Sequence, residues 1–230
     1  MGGRILDCVA KTTTKTLLDR TRIPLRVHER RPPLVDRAIE DRVADVLGEI
    51  TVPVSRWFYL WRYVRWLLPV WDRLSFQMQA QQQTNWCWAA VSTSVSHYYD
   101  AASTWTQCEV ANGELGRTDC CAGGASTSCN VYGTLNTSLS RVGHLDHMDS
   151  SVASFQSVDN EIDAGRPLGI RVAWSGGGAH FLAVIGYLED NQNYVAVDDP
   201  IYGKSDLTYD TLKTSYQGSG SWTHSYYTKA

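Results

Sequence analysis

Hydrophobic residues recur along this chain in two rhythms, helical through its first two thirds and strand-like in the last. Val35, Ile39, Val43, Val46 and Ile50 form one helical stripe with acidic and basic residues opposite, and Gly48 and Pro53 mark its end. Residues 1–33, rich in Thr and Arg and holding Pro24, Pro32 and Pro33, read as an extended lead. RWFYLWRYVRWLLPVW, residues 56–71, carries four of the nine tryptophans. Its apolar run falls short of the roughly 20 residues that cross a bilayer and is broken by Arg62, Arg65 and Pro69. Trp88, Val91, Val95 and Tyr98 form another stripe, with small Ala89 and Ala90 beside it, and predict a helix from about residue 86 to Tyr99. A helix near 131–142, with Leu135 and Leu139 on one face, and an amphipathic segment near 151–164 follow. The period then changes. Residues 168–174, 180–188 and 194–198 read as strands, and SWTHSYYT at 221–228 alternates polar and aromatic positions as a last one. Helices first and strands later predict an α+β domain, a helical half against an antiparallel sheet half with a cleft between them.

Charge divides the chain further. Residues 1–75 hold 14 Lys/Arg against 9 Asp/Glu, a net of +5, and residues 76–230 hold 7 against 15, a net of −8. We therefore read a basic N-terminal segment, 1–75, and an acidic body, 76–230. A basic arm beside an acidic body is expected to dock on it, with residues 34–73 covering the site, or to meet an anionic surface. Peripheral membrane contact through residues 56–71 is the second option, since a basic aromatic helix suits a membrane surface. The acidic body and the lack of any nucleic-acid motif argue against nucleic acid as a partner. Cys108, Cys120, Cys121 and Cys129 cluster apart from Cys8 and Cys87, without the closely spaced pairs of a zinc site. Two disulfides are expected, Cys108 to one of the vicinal pair and Cys129 to the other, with zinc or free thiols as alternatives. Disulfides imply an oxidising destination, so a secreted or exported protein is expected. MGGRILDCVAKTTTK lacks the apolar core of a Sec signal, and Leu6 stands where a myristoylation motif wants Ser or Thr.

The candidate chemistry centres on QQQTNWCWAA, residues 81–90, which sets Cys87 between two tryptophans at the first turn of a helix. The positive end of the helix dipole favours the thiolate, the nucleophilic form. Downstream, His180 follows three glycines and opens the apolar strand, and the strand at 194–198 runs into Asp198, Asp199 and Pro200. Cys, then His, then Asp on successive elements is the order a thiol hydrolase needs: nucleophile, base, orienting acceptor. Among the other histidines, His97 lies about 15 Å along the helix from Cys87 at ~1.5 Å per residue. His28 is in the arm, His144 and His147 sit in the polar HLDHMD run, and His224 on the last strand is the rival to His180.

These residues resemble the papain-like cysteine peptidases. Gln81 and CW at 87–88 match the Q-x5-C-W motif, AHFLAVIGY at 179–187 the strand that carries the family's histidine, and DPIYG at 199–203 the place of Asn-Ser-Trp-Gly. The resemblance, over residues 76–230, is closest to small bacterial members with NWCWAA, allied to type III effector proteases of plant pathogens. It implies a papain-like fold and an endopeptidase acting on protein or peptide substrates through a Cys87–His180–Asp199 triad and an acyl-enzyme. It also implies an oxyanion site from the Gln81 amide and the Cys87 backbone N–H, with Gln82 and Gln83 as register alternatives, and no metal or organic cofactor. Papain-like enzymes commonly carry an inhibitory N-terminal helical propeptide, a role open to the basic arm. Two positions depart from the pattern. Asp199 replaces Asn, with Asp198 as the neighbouring alternative, and Ile201 or Tyr202 stands where the family has its aromatic. A transglutaminase- or deamidase-like acyl transfer on the same fold is the second functional reading.

Overall fold

A computed structural model describes residues 70–230. The helix expected at 34–50 and most of the aromatic run at 56–71 lie outside the described residues.

The described chain opens with a two-residue strand, β1 (Asp72–Arg73), and then a helical region: α1 (Cys87–Tyr99), α2 (Gln107–Leu115), α3 (Cys120–Gly123) and α4 (Leu135–Arg141). The strands β2 (Leu145–Asp149), β3 (Leu168–Trp174), β4 (Ala179–Glu189), β5 (Asn193–Asp199), β6 (Gly203–Thr208) and β7 (Gly220–Thr228) follow, with α5 (Phe155–Asp163) and α6 (Tyr209–Ser215) between them. All pair antiparallel in the order β2-β7-β3-β4-β5-β6, and β1 pairs β4 beyond the end of β3. The α+β class read from the sequence is the class observed.

The central strand is buried along both faces, which its unbroken apolar sequence requires. Phe181, Ala183 and Ile185 face a core shared with Trp86, Trp88, Val91, Val95, Leu135 and Leu139 of the helical half. Leu182 and Val184 face a second core built with Val158 and Ile162 of α5, Leu212 of α6, and Val172, Val197 and Trp222. The period of two along β4 and β5 thus also sorts the polar residues at their ends. His180 and Asp199 follow the second face; Asp198 follows the first.

The helical half is held by local chemistry. Thr106 and Glu109 close a capping box on α2, and Gly116 ends it in the left-handed conformation. The cysteines form two disulfides, Cys108–Cys121 and Cys120–Cys129, the arrangement expected from their spacing. Asp119 gathers beside Cys120 and Cys129, but those two sulfurs are bonded to each other, so this group is no metal site.

Residues ahead of position 76 pack against the sheet as well. Trp71 and Phe76 are buried in the first core, and the Arg73 guanidinium lies 3.9 Å over the Trp71 ring while bonding Asp206 of β6 at 2.7 Å. Residues 70–75 are therefore part of the folded unit. β1 approaches β4 so closely that a Cβ on Gly186 would lie 2.6 Å from the Asp72 carbonyl oxygen. Gly186→Ala should destabilise the protein by about 1–3 kcal/mol through this backbone clash, seen as a lowered thermal midpoint; an unchanged midpoint would show that β1 adds nothing to the fold.

Candidate active site

Strand β4 begins and β5 ends at the same end of the sheet, and the N-terminus of α1 meets them there. Cys87 is the first residue of α1, fully buried, and the N-cap residue Trp86 offers the first turn no side-chain cap. Its position is fixed by the tryptophans on either side. The Trp86 indole donates to the Cys129 carbonyl at 2.8 Å, and the Trp88 indole to the Val131 carbonyl at 3.3 Å. Asn85 donates twice to Asn130, its N–H to Oδ1 at 2.9 Å and its Nδ2 to the carbonyl at 2.8 Å. The loop that supplies these acceptors is the one anchored by Cys120–Cys129. Gly133 completes the fit, because a Cβ there would sit 2.4 Å from the Trp88 ring.

His180 Nε2 lies 3.0 and 2.9 Å from the two carboxylate oxygens of Asp199, with both side chains fully buried. Nδ1 is buried with no hydrogen-bond partner in place, and Cys87 is the other group near enough to act on the ring. The imidazole thus stands between sulfur and carboxylate. Burial works against its charged form, but the charge and hydrogen bonds of Asp199, with those of Cys87 beside them, prevail and push it up to about 10. Burial likewise opposes the Asp199 anion. The His180 charge and hydrogen bond, and the backbone N–H groups of Tyr202 and Ile201, hold that carboxyl below its usual range.

Asp198, one residue away, is in a different situation. It points to the opposite face, accepts the Met78 N–H at 2.9 Å and lies 3.8 Å from Lys204 Nζ. Burial pushes it up, against the Met78 hydrogen bond and the Lys204 charge. The structure brings His180, Asp199 and Cys87 together and leaves Asp198 tying the segment ahead of α1 to the sheet. His224 and His97 bond elsewhere, His224 to the Thr223 hydroxyl at 2.9 Å and His97 to the Trp105 carbonyl at 2.9 Å.

Gln81 is anchored on this same turn, its N–H donating to the Pro200 carbonyl at 3.1 Å. Its side-chain Nε2 donates to the carbonyls of Gln83 and Thr84 at 2.9 and 2.8 Å, and its Oε1 is buried without a hydrogen bond. Both amide hydrogens are engaged, so as placed the side chain has none to spare for an oxyanion. The backbone beside it is tied to α2. The N–H of Gln82 donates to the buried Gln107 amide at 2.9 Å, and that amide in turn donates to the Ala80 carbonyl at 2.9 Å.

A family model, described as papain-like cysteine protease AvrRpt2, matches residues 70–217. The chain belongs to this family. It is a papain-like cysteine protease, and the fold and enzyme class expected from QQQTNWCWAA and AHFLAVIGY are those of the family. Among curated proteins, none matches the chain.

Two residues of this protease's site carried no local signal in the sequence. Tyr216, buried just after α6, donates its hydroxyl to Asp199 Oδ2 at 2.8 Å. Trp174, at the end of β3, lies nearly parallel to the His180 ring at 6.1 Å and 21°. The electrostatics lead to a titration test. The His180 imidazolium should persist well above 6.5, its ordinary value, and release its proton only in alkaline solution. Its contribution to stability, present in full below the unfolded value, should fade as pH rises through the raised one. Asp199→Asn should lower that titration, because the favourable negative charge is gone. An NMR titration showing the wild-type ring losing its proton near 6.5 would contradict the charged pair.

Proposed function

We propose that the protease hydrolyses peptide bonds in protein substrates with Cys87 as nucleophile, His180 as proton carrier and Asp199 as orienting acceptor. The observation that carries this reading is the buried line Cys87–His180–Asp199 at the start of α1, with one ring nitrogen committed to the carboxylate. The Cys87 thiolate attacks the scissile carbonyl carbon, forming a C–S bond and placing negative charge on the carbonyl oxygen. As the C–N bond breaks, the proton on His180 Nδ1 passes to the departing amine and leaves a thioester on Cys87. A water molecule then gives a proton to Nδ1 while its oxygen attacks the thioester. The C–S bond breaks, the acid product leaves, and Cys87 recovers its thiolate. Throughout, Nε2–H stays on Asp199, which holds the ring angle and tautomer.

The developing oxyanion is held by the Cys87 backbone N–H and the Gln81 side chain. For this Gln81 exchanges one of its two loop carbonyls for the substrate oxygen. Gln81→Ala should then lower kcat about 10²-fold with little change in KM, as expected for a donor used only in the transition state. Cys87→Ala should abolish hydrolysis with the fold intact, and iodoacetamide at neutral pH should label Cys87 ahead of the disulfide-bonded cysteines. Peptide-library digestion read by mass spectrometry decides the reaction. New termini support hydrolysis, whereas deamidated glutamine without new termini would overturn it in favour of the acyl-transfer reading.

In this proposal the protease is an exported bacterial effector whose basic arm restrains it. The net of +5 on residues 1–75 against −8 on residues 76–230 supports docking of residues 34–73 on the body. A chain starting at residue 70 should be more active than the full chain, and the difference should narrow at high salt, where screening weakens the attraction. If the shorter chain is no more active, and the full chain instead sediments with anionic vesicles, the arm serves membrane contact through residues 56–71.

A further inference from the structure

The catalytic reading assigns no part to the buried hydroxyl of Tyr216, yet that hydroxyl reaches the middle of the site. We propose that Tyr216 is a positioning residue of the reaction, its hydroxyl fixing the Asp199 carboxylate in the orientation from which that carboxylate holds His180. The inference rests on the Cys87–His180–Asp199 reading above and extends it by one residue.

The carboxylate's hydrogen bonds show why a further donor matters. Oδ1 accepts the N–H groups of Ile201 at 2.7 Å and Tyr202 at 2.9 Å, and shares His180 Nε2 at 3.0 Å. Oδ2 has only the other half of the His180 interaction, at 2.9 Å, and the Tyr216 hydroxyl at 2.8 Å. The turn therefore pins one oxygen firmly, and Tyr216 is the donor that pins the second. Without it the carboxylate is free to pivot about Oδ1 and release the imidazole it orients.

Tyr216 itself has little freedom. It begins a tight hairpin, with Gln217 and Gly218 at φ 48° and 79°, closed by Tyr216 N–H to the Gly220 carbonyl at 2.9 Å and Gly220 N–H to the Tyr216 carbonyl at 2.8 Å. Gly220 leaves no slack, since a Cβ there would lie 2.3 Å from Val172 Cγ1 and 2.7 Å from the Trp174 ring. Trp174 lies nearly parallel to both rings, 6.1 Å from His180 and 6.3 Å from Tyr216, and Tyr202 meets both edge-on. Base, acceptor anchor and aromatic wall are one packed unit.

The titratable and charged groups around Asp199 come from every side: His180 on β4, Cys87 on α1 beyond it, Tyr202 in the turn, Tyr216 on the hairpin, Asp198 beside it on β5, and Lys204 on β6. Burial and the adjacent carboxylate raise the Tyr216 hydroxyl, so it remains a protonated donor across the working range. Removing a donor to an anion raises the anion's proton affinity. Asp199 is held below its usual value, so its support of the imidazolium is lost as pH falls through that value, and losing the donor makes this happen at higher pH.

The test is Tyr216→Phe, which keeps the ring between Trp174 and Tyr202 and deletes only the hydroxyl. Expected are a fall in kcat of about tenfold, the scale of one charge-assisted hydrogen bond, KM within twofold, and an acid limb of the pH–rate profile moved to higher pH. Unchanged kcat overturns the inference, and so does a lower kcat with the acid limb unmoved, which is the mark of packing alone. Should the phenylalanine variant misfold, difluorotyrosine at position 216 keeps the contact and strengthens the donor. It should move the acid limb to lower pH, and an unmoved limb overturns the inference. The underlying triad reading fails separately, by full activity in Cys87→Ala.

Discussion

A buried negative charge on Asp199 is the constraint around which this protein is arranged. A carboxylate removed from water costs several kcal/mol unless donors and an opposite charge replace its hydration. Here the replacements come from three separate stretches of chain: the backbone N–H groups of Ile201 and Tyr202, the His180 imidazole and the Tyr216 hydroxyl. None of the three is displaced without stranding the charge. The turn after β5, the first residues of β4 and the hairpin before β7 are therefore locked to one another by electrostatics as well as by the sheet.

Cys87 is tied to that centre through the segment just ahead of it in the chain and the hydrogen bonds that segment makes. The residues between β1 and α1 cross from the sheet to the helical half. Along the way Asp198 holds Met78, the Pro200 carbonyl holds Gln81, the Ser94 hydroxyl accepts from the Gln79 N–H, and the Gln107 amide clamps Ala80 and Gln82. Asp198 and Pro200 flank Asp199 on both sides. A shift of the aspartate turn is thus transmitted to the loop that begins the Cys87 helix. On the far side of that helix the disulfide-anchored loop offers carbonyls to Trp86 and Trp88. The two indoles explain why the cysteine sits between tryptophans: each ring fills core volume, while its N–H fixes the helix start against a rigid loop.

What was legible in the sequence follows from where its signals are local. The Cys87 helix, the strand after the glycines and the disulfide cluster all declare themselves by periodicity or spacing within a dozen residues. The short β2 did not, because four of its five residues are exposed and it carries no alternation for a period of two to reveal. β6 and α6 are brief, and α6 buries only Leu212. α2 was readable in principle from Thr106-x-x-Glu109, a capping-box signature. Residues 70–75 carry no periodic signal, and their place against the sheet rests on the burial of Trp71 and the pairing of β1 with β4. Tyr216 had no local mark at all; its role arises from a contact made only after the sheet closes.

The adjacent aspartates show how one strand end serves two purposes. Successive residues on β5 face opposite cores, so Asp198 and Asp199 meet different partners although their backbones are continuous. One receives an imidazole and is held ionised; the other receives a backbone N–H and a distant ammonium, and burial pushes its proton affinity up. The same geometry bears on why this member of the family carries Asp where the papain pattern has Asn. At Oδ1 two backbone N–H groups demand an acceptor, and at Oδ2 the Tyr216 hydroxyl and the His180 Nε2–H approach together. An asparagine would place an NH2 group against the second pair, matching one only if the tyrosine turns its hydroxyl round to accept. A carboxylate accepts at both oxygens with no rearrangement. Aspartate at position 199 and tyrosine at position 216 are in this sense a matched pair: the acceptor-only side chain makes the hydroxyl useful, and the hydroxyl helps make the buried charge tolerable.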